Sequence, residues 1–366
     1  MGFNCGIVGL PNVGKSTLFN ALTSTVQAEA ANYPFCTIEP NSGRVAVPDC
    51  RLDKLTELSK SEKTVPTFLE IVDIAGLVRG ASKGEGLGNQ FLGHIRRVDA
   101  VITLLRCFDS DDITHVDGSV DPIRDAETVE TELLLSDLES LEKRIEPLER
   151  KVKGGDKDEE ALYDVMSRVL AALREGTPAR SLAISREERP YFRELSLITA
   201  KPVLYVCNVG EDEAATGNDY SARVAEKAVA ERAEAVVISA AIEAEIALLE
   251  SADDKVEFLE TLGLEETGLS KVIAAGYKVL DLVTFLTTGP KESRAWTVPQ
   301  GATAPQAAGV IHSDFEKGFI CAETIGFDEF VANGSEQAAR EAGKMRQEGR
   351  DYVIQDGDVL LFRFNV

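Results

Sequence analysis

Cations are in deficit: 39 lysines and arginines face 62 aspartates and glutamates over 366 residues, a formal net charge of −23. Nonspecific attraction to a polyphosphate draws on clustered Lys and Arg, so this charge opposes indiscriminate nucleic-acid binding and any RNA contact must come from local patches. Long apolar runs are missing too. None approaches the roughly eighteen residues of a membrane span, and no membrane association is expected. The chain does not open on a basic stretch followed by an apolar core, so a cytoplasmic location is expected. The six cysteines, Cys5, Cys36, Cys50, Cys107, Cys207 and Cys321, include no C-x-x-C pair. That scatter argues against a disulfide framework and a zinc site, and it predicts reduced, mostly buried thiols. Cys36 is the single candidate for redox sensitivity.

A chain this long suits two or three domains. Phe3 to Val8 reads as a short apolar strand, a glycine-rich loop follows, and Ser16 to Thr23 has helical apolar spacing. Further strand-length apolar runs at 67–72, 100–108, 202–207 and 235–238 predict a parallel α/β sheet. Between the third and fourth of these five runs, Leu134, Leu138, Leu141, Ile145, Leu148 and Val152 recur at steps of four and three, as in a coiled-coil seam. Lys153-Gly154-Gly155-Asp156 supplies a turn and an N-cap, and Leu162, Met166, Val169 and Leu173 repeat the spacing. An antiparallel helical hairpin inserted into the α/β domain is expected, with a kink at Pro147. From about Leu282, short strands with turn residues predict a small α+β domain. The expected division is 1–127 with 198–280 for nucleotide binding, 128–197 for the inserted helices, and 281–366 for the C-terminal domain.

The nucleotide assignment rests on Gly9-Leu10-Pro11-Asn12-Val13-Gly14-Lys15-Ser16, a G-x-x-x-x-G-K-[ST] loop between strand and helix. Its glycines let successive backbone N–H groups turn toward phosphate oxygens. Lys15 is expected on the β- and γ-phosphates and Ser16 on Mg²⁺, with Asn12, Val13, Gly14 and Thr17 completing the contacts. Asp73-Ile74-Ala75-Gly76, after an apolar strand, presents an acid to the magnesium shell and a flexible glycine to the γ-phosphate. Thr37 is a candidate second hydroxyl for the metal, or a surface-turn threonine.

Base selection departs from the translation-GTPase pattern N-K-x-D. The fourth strand ends in Asn208-Val209-Gly210-Glu211, without the lysine that stacks on the base and with a longer acid. Loss of a bidentate acceptor for guanine makes adenine a candidate. Ser239-Ala240-Ala241 is expected to complete the base pocket through backbone N–H groups. Leu77 stands directly after D-x-x-G, where hydrolytic GTPases often carry a water-orienting glutamine, so hydrolysis is slow or another group enters. His115, in the loop 109–121, is either that group or a solvated loop histidine. Two basic stretches, Lys143, Arg144, Arg150, Lys151 and Lys153, and Arg79, Lys83, Arg96 and Arg97, are solvated faces or partner contacts.

These residues together resemble the YchF family of Obg-like ATPases, end to end. The matching stretches are Gly9–Ser16, Asn32–Pro40, the run 73–90, Arg106-Cys107-Phe108, 153–157, and 295–364. The resemblance implies a Ras-like P-loop domain, an inserted helical hairpin and a C-terminal TGS domain of ubiquitin-like β-grasp form. It implies a Mg²⁺-dependent ATPase that binds GTP weakly, with Asn208 and Glu211 forming N-x-x-E and the backbone of Val209 meeting the adenine. Leu77 matches the family's hydrophobic residue after D-x-x-G, and His115 its histidine assisting hydrolysis. Ribosome association and a link between translation and stress are also implied, and a monomer is expected. The competing expectations are a GTP-specific translation GTPase and a nucleotide-bound scaffold with negligible hydrolysis.

Overall fold

The computed structural model describes residues 3–30, 42–74, 87–110, 115, 118–154, 156–249 and 251–365, with backbone alone for 24–30, 87–91 and Ala252. Its strands in chain order are β1 (Phe3–Val8), β2 (Ser42–Ala46), β3 (Thr64–Val65), β4 (Phe68–Asp73), β5 (Ala100–Arg106), β6 (Val203–Asn208) and β7 (Glu234–Ile238). β8 (Leu282–Thr287), β9 (Ser293–Pro299), β10 (Phe319–Gly326), β11 (Arg346–Glu348) and β12 (Asp358–Phe364) follow.

Two six-stranded sheets result. The first runs β2-β4-β1-β5-β6-β7, with every neighbouring pair parallel except β2 against β4. All seven residues of β5 are buried, as expected for a central parallel strand covered on both faces. The chain leaves β1 toward β4 on one side and reaches β5 on the other, so the strand order reverses at β1. A crevice opens there at the carboxyl ends of the strands, and the loop 9–14 occupies it.

The second sheet runs β11-β10-β12-β8-β9-β3, and β3 is its surprise. Thr64 and Val65 pair in parallel with Ser293 and Arg294. Just before them, the helix Cys50–Ser59 buries Leu52 and Leu55 among Leu286, Ala295, Ile325, Phe330 and Val359. Polar ties reinforce this seam: Arg51 reaches Asp356 at 2.6 Å, Ser61 Oγ donates to Gly289 O at 2.7 Å, and Glu62 N donates to Pro290 O at 3.0 Å. Residues on both sides of the boundary expected at 281 therefore share one apolar cluster. Leu52 and Leu55 make one face of their helix apolar, and that face is covered by the C-terminal sheet.

The two long helices are Pro122–Val152 and Lys157–Arg174. Leu134, Leu141 and Leu148 pack against Val165, Met166, Val169 and Leu173, and the ion pairs Lys151–Glu159 and Arg174–Glu142 show the helices running in opposite directions. Asp156 caps the second through a bond from Asp158 N. The first helix starts earlier than 128, and Pro147 lies inside it. Its early turns place Val129 and Leu133 in the core of the first sheet.

Asp137 anchors the returning chain. Fully buried, its carboxylate accepts from Ile198 N at 3.1 Å, Thr199 N at 2.7 Å and Thr199 Oγ at 2.7 Å. Burial pushes its pKa up, and these three bonds oppose that shift. Asp137→Ala strands two buried amides and is expected to cost about 3 kcal/mol of stability in urea unfolding. An unchanged midpoint would show that the return strand does not need this anchor.

Candidate functional site

The phosphate loop takes the shape its residues demand. Gly14 sits at φ +93°, and a Cβ there would fall 2.4 Å from Asn208 Nδ2. At Gly9 a Cβ would fall 2.6 Å from the carbonyl oxygen of Leu104, so neither position admits a side chain. Asn12 adopts φ +64°, completing a turn of successive N–H groups. The helix Lys15–Ala30 begins immediately, with Leu18 N bonded to Gly14 O at 2.9 Å. Its first amides have no partner within the helix and carry the positive end of its dipole. Ser16 and Thr17 are exposed, and Lys15 is partly buried with no ion-pair partner among the described residues.

Asp73 closes β4, in register with Ile7 of β1, which places it beside the loop. Its Oδ1 is buried and has no hydrogen-bond partner among the described residues. An orphan carboxylate oxygen at the end of β4 and an exposed serine hydroxyl at the start of the helix after β1 offer oxygen donors, the kind that suit Mg²⁺. Thr37, Gly76 and Leu77 lie outside the described residues, as do Arg79, Lys83 and Cys36.

On the base side, Asn208 works as a strut. Buried at the end of β6, it donates through Nδ2 to Val13 O at 3.0 Å and accepts through Oδ1 from Ala240 N at 2.9 Å. One side chain thus joins the phosphate loop to the segment after β7. The expectation for Ala240 needs correction, because its N–H is spent on Asn208 rather than offered to a base. Ser239 is buried and precedes the helix Ala240–Ile246. Val209 N donates to Ile238 O at 2.9 Å, and Glu211 is exposed at the start of a 3-10 turn. Farther along the helix Ala240–Ile246, the buried Glu243 accepts from Gly268 N and Leu269 N at 2.7 and 3.2 Å, capping the helix Gly268–Val279 that leads into β8. Burial pushes the Glu243 carboxyl up.

His115 is not a solvated histidine. It is 8% exposed, and its Nε2 lies 2.8 Å from Oδ2 of the buried Asp125. Sequence reasoning missed Asp125, whose only local signal is an acid in a first helical turn after Pro122. It also left Arg106 without a role. That side chain is buried at the end of β5, donates to the carbonyls of Phe108 and Ser110, and stacks 4.7 Å from the Phe108 ring centroid.

The basic stretch on the long helix is largely neutralised. Lys143 pairs with Glu139, Arg150 with Glu146 and Lys151 with Glu159, while Arg144 donates to Leu195 O. The solvated-face reading fits these four residues. Of the described cysteines, Cys5, Cys107 and Cys207 are buried, Cys321 is partly buried and Cys50 is exposed.

Comparison with known proteins agrees with this geometry. Residues 4–136 match the family described as "50S ribosome-binding GTPase", and residues 282–365 match YchF-GTPase_C, described as "Protein of unknown function (DUF933)". The chain is 56% identical to the "Ribosome-binding ATPase YchF" of Escherichia coli O157:H7, covering 100% of both chains. It is 47% identical to "Obg-like ATPase 1" of Rattus norvegicus, covering 98% of this chain and 92% of the relative. The solved structure of the Schizosaccharomyces pombe YchF GTPase superposes with a TM-score of 0.87 at 39% identity, covering 99% and 98% of the two chains. Full-length identity at this level, carried on a nucleotide-loop geometry of the same kind, places the chain in the YchF family.

Proposed function

We propose that this protein is a Mg²⁺-dependent ATPase that works as a nucleotide-controlled switch on the ribosome. What supports the reading is the cradle: the loop 9–14 after β1, Lys15 and Ser16 at the start of the helix that follows it, and the orphaned Asp73 Oδ1 at the end of the adjacent strand β4. Ser16 and Asp73 would hold the metal, the latter directly or through water, and bound Mg²⁺ would neutralise charge on the β- and γ-phosphates. Thr37 and Gly76 belong to the same proposal as the hydroxyl and amide that sense the γ-phosphate. In hydrolysis a water oxygen bonds to the γ-phosphorus while the bond to the β,γ-bridging oxygen breaks, its electron pair leaving with ADP. His115 is the group proposed to face that water, since Leu77 has no atom to orient it.

Adenine is the proposed base. The Val209 N–H is engaged with Ile238, so its carbonyl is the backbone atom suited to an adenine N6 amino donor. Guanine would present its O6 acceptor to the same oxygen. Asn208 and Ser239–Ala240 then shape the pocket, and Glu211 borders it. The ribosome as partner is supported by the names of the curated relatives, and the C-terminal unit is read as a TGS domain on the same basis as the sequence resemblance. A link to stress, a cytoplasmic location and a monomeric state complete the proposal.

Calorimetric titration of the full chain with ATP and GTP, in the presence of Mg²⁺, tests the base. ATP is expected to bind at least about tenfold more tightly, on the scale of one misplaced hydrogen-bonding group. GTP binding tighter by that factor would restore the GTP-specific reading, which the name of the S. pombe structure keeps in play.

A further inference from the structure

Residues 209–217 form the loop that carries both proposed base contacts, Val209 and Glu211, and its two ends are fastened to a single residue. Asn208, at its start, accepts through its backbone carbonyl from Cys107 N at 2.8 Å. Asn218, at its close, donates through Nδ2 to Cys107 O at 2.7 Å. Cys107 is fully buried just past β5, in the apolar cluster that also holds Val209 and Val224. The second hydrogen of the Asn218 amide reaches into the loop and bonds Glu213 Oε2 at 2.7 Å. Its Oδ1 accepts from Ser221 N at 3.0 Å and caps the helix Asp219–Glu231, so both donors and the oxygen of this side chain are engaged. Inside the loop, Ala214 is buried with Ile242 and Ile246 of the helix Ala240–Ile246, which ties the loop to the segment after β7.

We propose that Asn218 is a positioning residue for base selection: its amide holds residues 209–217 in the shape that sets the Val209 carbonyl and Glu211 toward the purine. This rests on the adenine reading given above. The start of the loop lies beside the phosphate cradle because the Asn208 side chain bonds Val13 O and Ala240 N. Asn208 anchors only that start, and the return of the chain depends on Asn218. The two acceptors that its amide bridges, a carbonyl and a carboxylate, have no attraction for each other and need a donor between them. A pocket held in shape discriminates between purines by the cost of a mismatched polar group. A slack one adjusts to either base and loses that discrimination.

Asn218→Asp separates the two tasks of this side chain. Aspartate caps a helix as well as asparagine does, but it sets an oxygen against Cys107 O and Glu213 Oε2 where an amide stood. Calorimetry of the full chain with Mg²⁺ is expected to show ATP affinity falling about tenfold, the scale of one buried polar group left unpaired. GTP affinity should fall less, so the ratio between the nucleotides shrinks, while kcat at saturating ATP is retained, the pattern of lost binding rather than lost chemistry. Ser221→Ala weakens the same helix cap and spares the amide. It is expected to lower the melting temperature and leave the nucleotide ratio as in the wild type. Hydrogen exchange on the nucleotide-free wild type should find the amides of Glu213, Ala214 and Gly217 protected, since they bond Gly210 O, Glu211 O and Glu213 O at 3.1, 3.2 and 2.7 Å. A wild-type ratio in Asn218→Asp, an equal shift in Ser221→Ala, or unprotected loop amides in the nucleotide-free wild type would each overturn the proposal. The exchange measurement needs no variant to fold. A wild type that prefers GTP would sink the adenine reading alone, because a ratio altered by Asn218→Asp and not by Ser221→Ala would still report the clamp.

Discussion

Lys15→Ala is expected to reduce Mg²⁺-dependent phosphate release from ATP by at least about a hundredfold, the scale at which one pre-placed donor to developing charge is lost. No other ammonium group stands in the 9–17 loop, and Lys15 has no ion-pair partner among the described residues. Its charge is therefore not committed to an acid among the described residues. The fold should be untouched, because the side chain is partly exposed and packs no core. Phosphate release that survives the substitution would belong to another site or to a contaminant, and the assignment of this loop as the catalytic centre would fail with it.

Asn208→Ala should act on binding rather than on chemistry. Removing the carboxamide leaves Val13 O and Ala240 N without partners in a buried setting, at about 1–3 kcal/mol for each group left unpaired. The two segments it joins are the phosphate cradle and the turn after β7, so looseness in one is felt in the other. An affinity loss for ATP of about tenfold to a hundredfold is expected, together with a lower melting temperature. Asn208→Asp should be no better, since it sets an oxygen against the Val13 carbonyl where an amide stood. Unaltered affinity in either variant would show that the cradle holds its shape without the strut.

Much of the catalytic half was legible in advance for local reasons. Phe3–Val8 and the glycine pattern are neighbours in sequence as well as in space, Asp73 follows directly on its own apolar run, and the positive φ at Gly14 is one that glycine adopts without Cβ strain. The two long helices were legible because Leu134, Leu141 and Leu148 repeat at the spacing of a seam. Asn208 was found by motif, yet its engagement with both Val13 and Ala240 depends on contacts 195 and 32 residues away, beyond the reach of spacing. Asp125 and Arg106 were missed for a related reason: a buried charge has no sequence signature until its partner is located. The helix Cys50–Ser59 and β3 escaped altogether. Two residues of strand leave no periodicity to read, and the partner sheet begins more than two hundred residues later.

That last arrangement bears on how the molecule comes together. Ser61 and Gly289 meet across a separation of 228 residues, so the second core closes one of the longest loops in the chain. During synthesis the stretch 50–65 is made early and must keep Leu52 and Leu55 from other apolar surfaces until β8 and β9 arrive. Closure of so long a loop is slow even when its entropic cost grows only logarithmically with length. The C-terminal unit cannot therefore mature by itself as a late, separate module. Its assembly is the step that finishes the whole protein, and a chain stalled before residue 293 would still carry an uncovered apolar helix near its beginning.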